Sequence, residues 1–109
     1  MRWSDRRKID KSDEAQKGRA EIIQELTQKG LFAKIEEHQT SGGIRSVDLW
    51  VRPVWYTLDY DEKETFTNTV YSYYFDGTSI SDRVAIFDSK TGNVIGQYSL
   101  ATGGLHLSN

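Results

Sequence analysis

The chain has 109 residues, with 14 Lys or Arg against 16 Asp or Glu, two histidines and no cysteine. That length supports one domain with one core, and the lack of cysteine excludes disulfide frameworks, thiolate zinc sites and cysteine nucleophiles. No run approaches the roughly 20 apolar residues of a membrane-spanning helix, the first residues lack a signal peptide's apolar centre, and a slightly acidic chain argues against non-specific nucleic-acid binding.

Charge is uneven along the chain: Met1 to Arg19 holds seven Lys or Arg and four acids, the remainder seven and twelve. Residues 1–11 are expected to be a basic, disordered leader and 12–109 a single domain; contact of the leader with anionic lipid or nucleic acid is the competing expectation. Ser12 followed by Asp13 and Glu14 is a cap with acids in the first turn. Ile22, Ile23 and Leu26 with Ala15 and Ala20 form an apolar stripe, and Gly30 is a stop, which predicts a helix over about 12–29. "LFAKIEEHQT" and "IRSVDLWV", separated by "SGG", read as a hairpin with Val47, Leu49 and Val51 on one face.

Pro53 ends that strand, because it cannot donate to a ladder. "LDYDEKETFTNTVYSYYFDG" starts like a helix, with Asp59 and Glu62 spaced as a capping box, yet its Thr, Val, Tyr and Phe favour a strand. As a strand it would place Asn68 and Ser72 on the same face as Phe66, Val70 and Tyr74. As a helix it gathers Phe66, Thr69, Val70, Tyr73 and Tyr74 on one face and Tyr60, Tyr71 and Phe75 on a second stripe, so a helix from about Asp59 to Phe75 is expected, stopped at Asp76-Gly77. "RVAIFDS", "KTG" and "NVIGQYSL" form a second hairpin around Gly92, with Val84 and Ile86 on one face joined by Val94, Tyr98 and Leu100. The tail "ATGGLHLSN" closes a sheet edge or frays. The helix, hairpin, helix, hairpin order predicts an α+β fold: a four-stranded antiparallel sheet with two helices packed on one face.

Taken together, "GLFAKIE", "LWVRPVWYTLDYDEK", "TVYSYYFDG", "FDSKTGNVIGQYS" and "GGLHLS" resemble a family of small bacterial domains of unknown function, over about residues 29–108. In that family the domain often follows a single hydrophobic segment near the N-terminus, sometimes with a zinc-ribbon-like stretch before it. The resemblance implies a helix over Asp59 to Phe75 and a soluble part of a membrane-anchored parent. It implies no activity, cofactor or catalytic residue. This sequence holds neither the hydrophobic segment nor the ribbon cysteines, and basic residues beside a membrane segment favour the cytoplasmic side.

Chemistry-bearing residues are few. His38 adjoins Glu36 and Glu37, and a metal site there needs a further ligand converging from elsewhere; an exposed strand-end histidine is the simpler reading. His106 with Ser99 or Ser108 has no nucleophile motif around it. "DYDEKE" lacks the central glycine and the twelfth-position glutamate of a calcium loop, and "SGG" and "TGG" lack the pattern of a phosphate loop. The aromatics carry the functional expectation. Trp50, Trp55, Tyr56, Tyr60, Tyr71 and Phe75 are expected to form an aromatic edge that holds a protein or peptide partner, without cofactor or metal. The competing expectation is that "RPVWYTLDY" folds over and buries the rings as a small second core. The expected function is a non-enzymatic binding or sensory module. A small hydrolase or metal-dependent enzyme using His38 or His106, and self-association through "RVAIFDS" or "VIGQYSL", are the alternatives.

Overall fold

The computed structural model describes residues 9–39 and 45–108. Helix α1 (Asp13–Gln28) begins where the cap residue stands, the Ser12 hydroxyl accepting from the Ala15 N–H. It ends at Gly30, whose φ of 85° is the left-handed conformation that glycine adopts at least cost. The Leu31 N–H reaches Leu26 O and the Gly30 N–H reaches Thr27 O, a Schellman closure that satisfies two carbonyls the helix leaves open. Strands β1 (Phe32–Gln39) and β2 (Arg45–Val51) follow and pair antiparallel. The expected "SGG" turn between them lies outside the described residues.

A 3-10 helix (Pro53–Thr57) then leads into helix α2 (Tyr60–Tyr74), which settles the ambiguous segment. Its start is a complete capping box: the Glu62 N–H donates to Asp59 Oδ1 at 2.8 Å and the Asp59 N–H donates to Glu62 Oε1 at 3.0 Å. Strands β3 (Arg83–Asp88) and β4 (Val94–Ser99), a second 3-10 helix (Leu100–Thr102) and strand β5 (Gly104–Leu107) complete the chain.

The sheet has five strands in the order β1-β2-β3-β4-β5, and β2 and β3 run parallel. This corrects the expectation of four antiparallel strands. A helix of 15 residues is about 22 Å long, enough to carry the chain back past a six-residue strand, so β3 starts again from the end where β2 started. The fifth strand comes from the tail, which turns at Gly103 and Gly104, with φ of 95° and 107°, and pairs with β4.

One face of the sheet carries the core: Val47, Leu49, Val51, Val84, Ile86, Tyr98 and Leu105 are buried there together with Leu31, Phe32 and, from the covering segments, Trp55, Val70, Tyr71 and Phe75. The deepest line of α2 is Thr67, Val70 and Tyr71 rather than the expected Phe66, Thr69, Val70, Tyr73 and Tyr74. Thr67 tolerates full burial because its hydroxyl donates to Lys63 O at 2.8 Å. Phe66 and Tyr74 pack against the core from the side and stay partly exposed. On β4 a bulge between the Ile86 and Phe87 pairings turns Val94 out of the face it was expected to join, leaving it exposed.

Helix α1 buries none of its residues completely; Ile23 and Leu26 contribute partial burial and Ile22 is exposed. Residues 1–8 of the expected leader lie outside the described residues. From Ile9 onward the chain makes tertiary contacts: Ile9 packs on the core, and Lys11 Nζ donates to Ser72 O, Tyr73 O and Phe75 O at 2.7, 2.8 and 3.2 Å. Those carbonyls lie at the C-terminal end of α2, where a cation also meets the negative end of the helix dipole. No helix among the described residues is long and apolar enough to cross a membrane.

Candidate functional site

The six rings expected to form one edge are divided among three environments. Trp55, Tyr71 and Phe75 are buried at 1, 0 and 3% exposure, with Tyr71 5.1 Å from Phe75 and 5.3 Å from Tyr98 between ring centroids. Trp50 lies on the uncovered face of the sheet, as its alternation with Leu49 and Val51 requires. Tyr56 and Tyr60 remain exposed, at 53 and 47%. Of the six, only Trp55 and Tyr56 line a common cavity, Trp55 from the core side and Tyr56 from the surface, while Trp50, Tyr60, Tyr71 and Phe75 lie outside its lining.

That neighbourhood is built by the Pro53–Thr57 turn. Proline opens the 3-10 helix, where its missing N–H costs nothing, and the tight turn sends Trp55 inward while Tyr56 points out. The Tyr56 hydroxyl donates to Asp88 Oδ2 at 2.6 Å. This bond raises the Tyr56 pKa above its ordinary value, and the same bond, helped by the Lys90 backbone N–H, lowers that of Asp88. From the start of α2, the Tyr60 hydroxyl donates to Leu105 O at 2.6 Å and ties the helix to the outer strand. Lys63, one turn on, places its ammonium 5.7 Å above the Trp55 ring.

Trp55, Tyr56 and Lys63, with Ile95, Leu107 and Ser108, line a cavity of about 350 Å³. Among the described residues no carboxylate lies within ion-pairing distance of Lys63. Among the described residues no strand pairs with the outer side of β5 beside the cavity. The Ser108 N–H donates to Ile95 O, so in the antiparallel β4–β5 pairing the backbone groups of Leu107 turn away from β4, toward the free edge. Another cavity, of about 390 Å³, lies between α2 and the β4–β5 connection and is lined by Glu64, Thr65, Asn68, Tyr98, Leu100, Gly103 and Gly104. Its polar groups are largely turned on the protein itself: the Asn68 amide donates to the Tyr98 hydroxyl at 2.6 Å, and Glu64 Oε2 sits so close over Gly104 that a Cβ there would be 2.7 Å away.

The uncovered face holds the remaining chemistry. Trp50 stacks on Phe87, Lys34 Nζ lies 4.8 Å over its other side, and the indole N–H donates to Glu36 Oε1 at 3.0 Å. His38 Nε2 is 2.8 Å from Asp48 Oδ2. His106, at the opposite edge, has its Nε2 2.6 Å from Thr102 O, an acceptor, so that ring nitrogen carries the proton; no bond joins it to Ser99 or Ser108.

Lys63, Ile95 and Leu107 escaped the reading of the sequence. Leu107 could have been found as the apolar residue two on from Leu105 on the same face of a tail strand, but only once that strand was known to pair. Asp48 was missed for a similar reason, because its proximity to His38 follows from the β1–β2 register. No protein-family model matches the chain, and comparisons with curated proteins and with solved structures find no match either.

Proposed function

We propose that the protein is a non-enzymatic binding module that captures the C-terminal end of a peptide or protein, taking an apolar last side chain into the Trp55–Leu107 cavity and its carboxylate onto Lys63. The observation that carries this reading is the combination of an apolar wall, formed by Trp55, Ile95 and Leu107, with an ammonium that, among the described residues, has no carboxylate partner at the same cavity. Tyr56 adds a rigid exposed ring at the mouth, a residue type that contributes much contact area at small entropic cost. The outward backbone of Leu107 offers an extended chain a place to pair, as in strand addition.

N-acetyl-leucine and N-acetyl-leucinamide differ only in the carboxylate and serve as probes. In amide and methyl NMR spectra the acid is expected to shift the Leu107 methyls, the Ser108 amide and the Trp55 indole more strongly than the amide does, and Lys63→Gln should erase the difference. If neither probe moves these signals at millimolar concentration, or if acid and amide act alike, the reading fails.

A further inference from the structure

We propose that Glu36, His38 and Asp48 form a divalent transition-metal site, of the zinc class, on the uncovered face of the sheet. The strand period puts Glu36 and His38, two residues apart on β1, on the same face. The register then brings in the third ligand: Glu36 pairs with Asp48 and His38 with Ser46, so Asp48 lies directly across from one ligand and diagonally from the other. One ligating atom from each residue falls within 4.8 Å of the other two, and His38 Nε2 is already 2.8 Å from Asp48 Oδ2.

A zinc ion held at about 2.0–2.2 Å by nitrogen and oxygen ligands sets them roughly 3.3–3.5 Å apart in a tetrahedron. Reaching that spacing needs the His38–Asp48 pair to part slightly and the Glu36 carboxylate to swing inward by about 1 Å or more, a rotamer adjustment that leaves the strands in place. That carboxylate already has partners on one of its two oxygens. Its Oε1 takes the Trp50 indole N–H and lies 3.7 Å from Lys34 Nζ, which leaves Oε2 for a cation and gives the ligand the kind of outer hydrogen bond that orients carboxylates in metal centres.

One imidazole and two carboxylates select zinc and its transition-metal neighbours over calcium or magnesium, which prefer oxygen alone. Three protein ligands leave a fourth position for water or for a donor from a partner. His38 and His106 are the only histidines and there is no cysteine, so zinc has few competing donors on this chain.

The test is a zinc titration of the untagged protein followed through the histidine ring and Trp indole signals. One equivalent is expected to saturate the His38 ring shift with a micromolar dissociation constant and to move the Trp50 indole N–H, while His106→Ala changes neither. Glu36→Gln and Asp48→Asn, which keep the side-chain shapes, and His38→Ala should each weaken binding at least tenfold. Full affinity in any one of these three variants overturns the site, as does the absence of a saturable His38 shift below 1 mM zinc. Because the site shares no residue with the Lys63 cavity, this outcome stands apart from that of the leucine probes.

Discussion

The indole of Trp50 lies against the phenyl ring of Phe87, with centroids 4.6 Å apart and planes inclined by 18°, across the parallel β2–β3 pair. Trp50 and Phe87 are direct register partners, so their stacking depends on the crossover that makes these strands neighbours. With Lys34 on its other side, the indole is held in a row that spans three strands of the uncovered face.

This row should be measurable as coupling. Such aromatic pairs contribute about 0.5–1.5 kcal/mol beyond their area. A double-mutant cycle of Trp50→Ala and Phe87→Ala, read by urea unfolding, is expected to give a coupling energy in that range. Additive losses would mean that the two rings do not stabilise one another.

Tyr71 tests the core. Its ring is fully buried, and its hydroxyl is buried with only the Leu100 backbone N–H approaching it, outside good hydrogen-bond geometry. Removing the ring in Tyr71→Ala should cost about 3–5 kcal/mol, as for other large core aromatics. Tyr71→Phe, which deletes a buried hydroxyl with only that weak partner, should be neutral or stabilising. Burial, with a smaller contribution from Asp82, pushes the Tyr71 pKa up from 10.0 to about 12. The unfolded chain therefore ionises first. The stability this group contributes is whole below pH 10 and is lost as pH rises from there toward 12. Wild type should lose stability more steeply than Tyr71→Phe in that window, which alkaline unfolding curves followed by circular dichroism would show; identical curves would rule the linkage out.

Lys11 tests how the N-terminal segment is tied to the domain. Its ammonium donates to three carbonyls at the end of α2, and Gln16 Nε2 donates to one of them, Tyr73 O. Lys11→Met keeps the aliphatic stem and removes the charge, and should destabilise the protein by about 1 kcal/mol. Hydrogen exchange should rise at the last amides of α2 and leave β3 unchanged. A variant as stable as wild type, with unaltered exchange there, would show the contact to be incidental.

Local elements were determined by the sequence itself. Ser12 and Gly30 fix the two ends of α1, and Asp59 and Glu62 fix the start of α2, through hydrogen bonds made within a few residues, while alternation in β2 and β3 fixes which side chains face the core. Such contacts need no knowledge of the rest of the fold, which is why the helix over 60–74 could be read against its own strand-like composition. The uncovered side of Trp50 followed from the same rule.

What only the tertiary structure decided depends on pairing between distant segments. The parallel β2–β3 neighbours, the fifth strand and the bulge that turns Val94 outward are set by how α2 spans the sheet and by register, and no local propensity encodes them. The same holds for the sites. Trp55, Tyr71 and Phe75 are as aromatic as Tyr56 and Tyr60, and burial alone separates core from surface among them. Lys63 meets Leu107, and Asp48 meets His38, only because backbone hydrogen bonding holds their strands and helix in one arrangement.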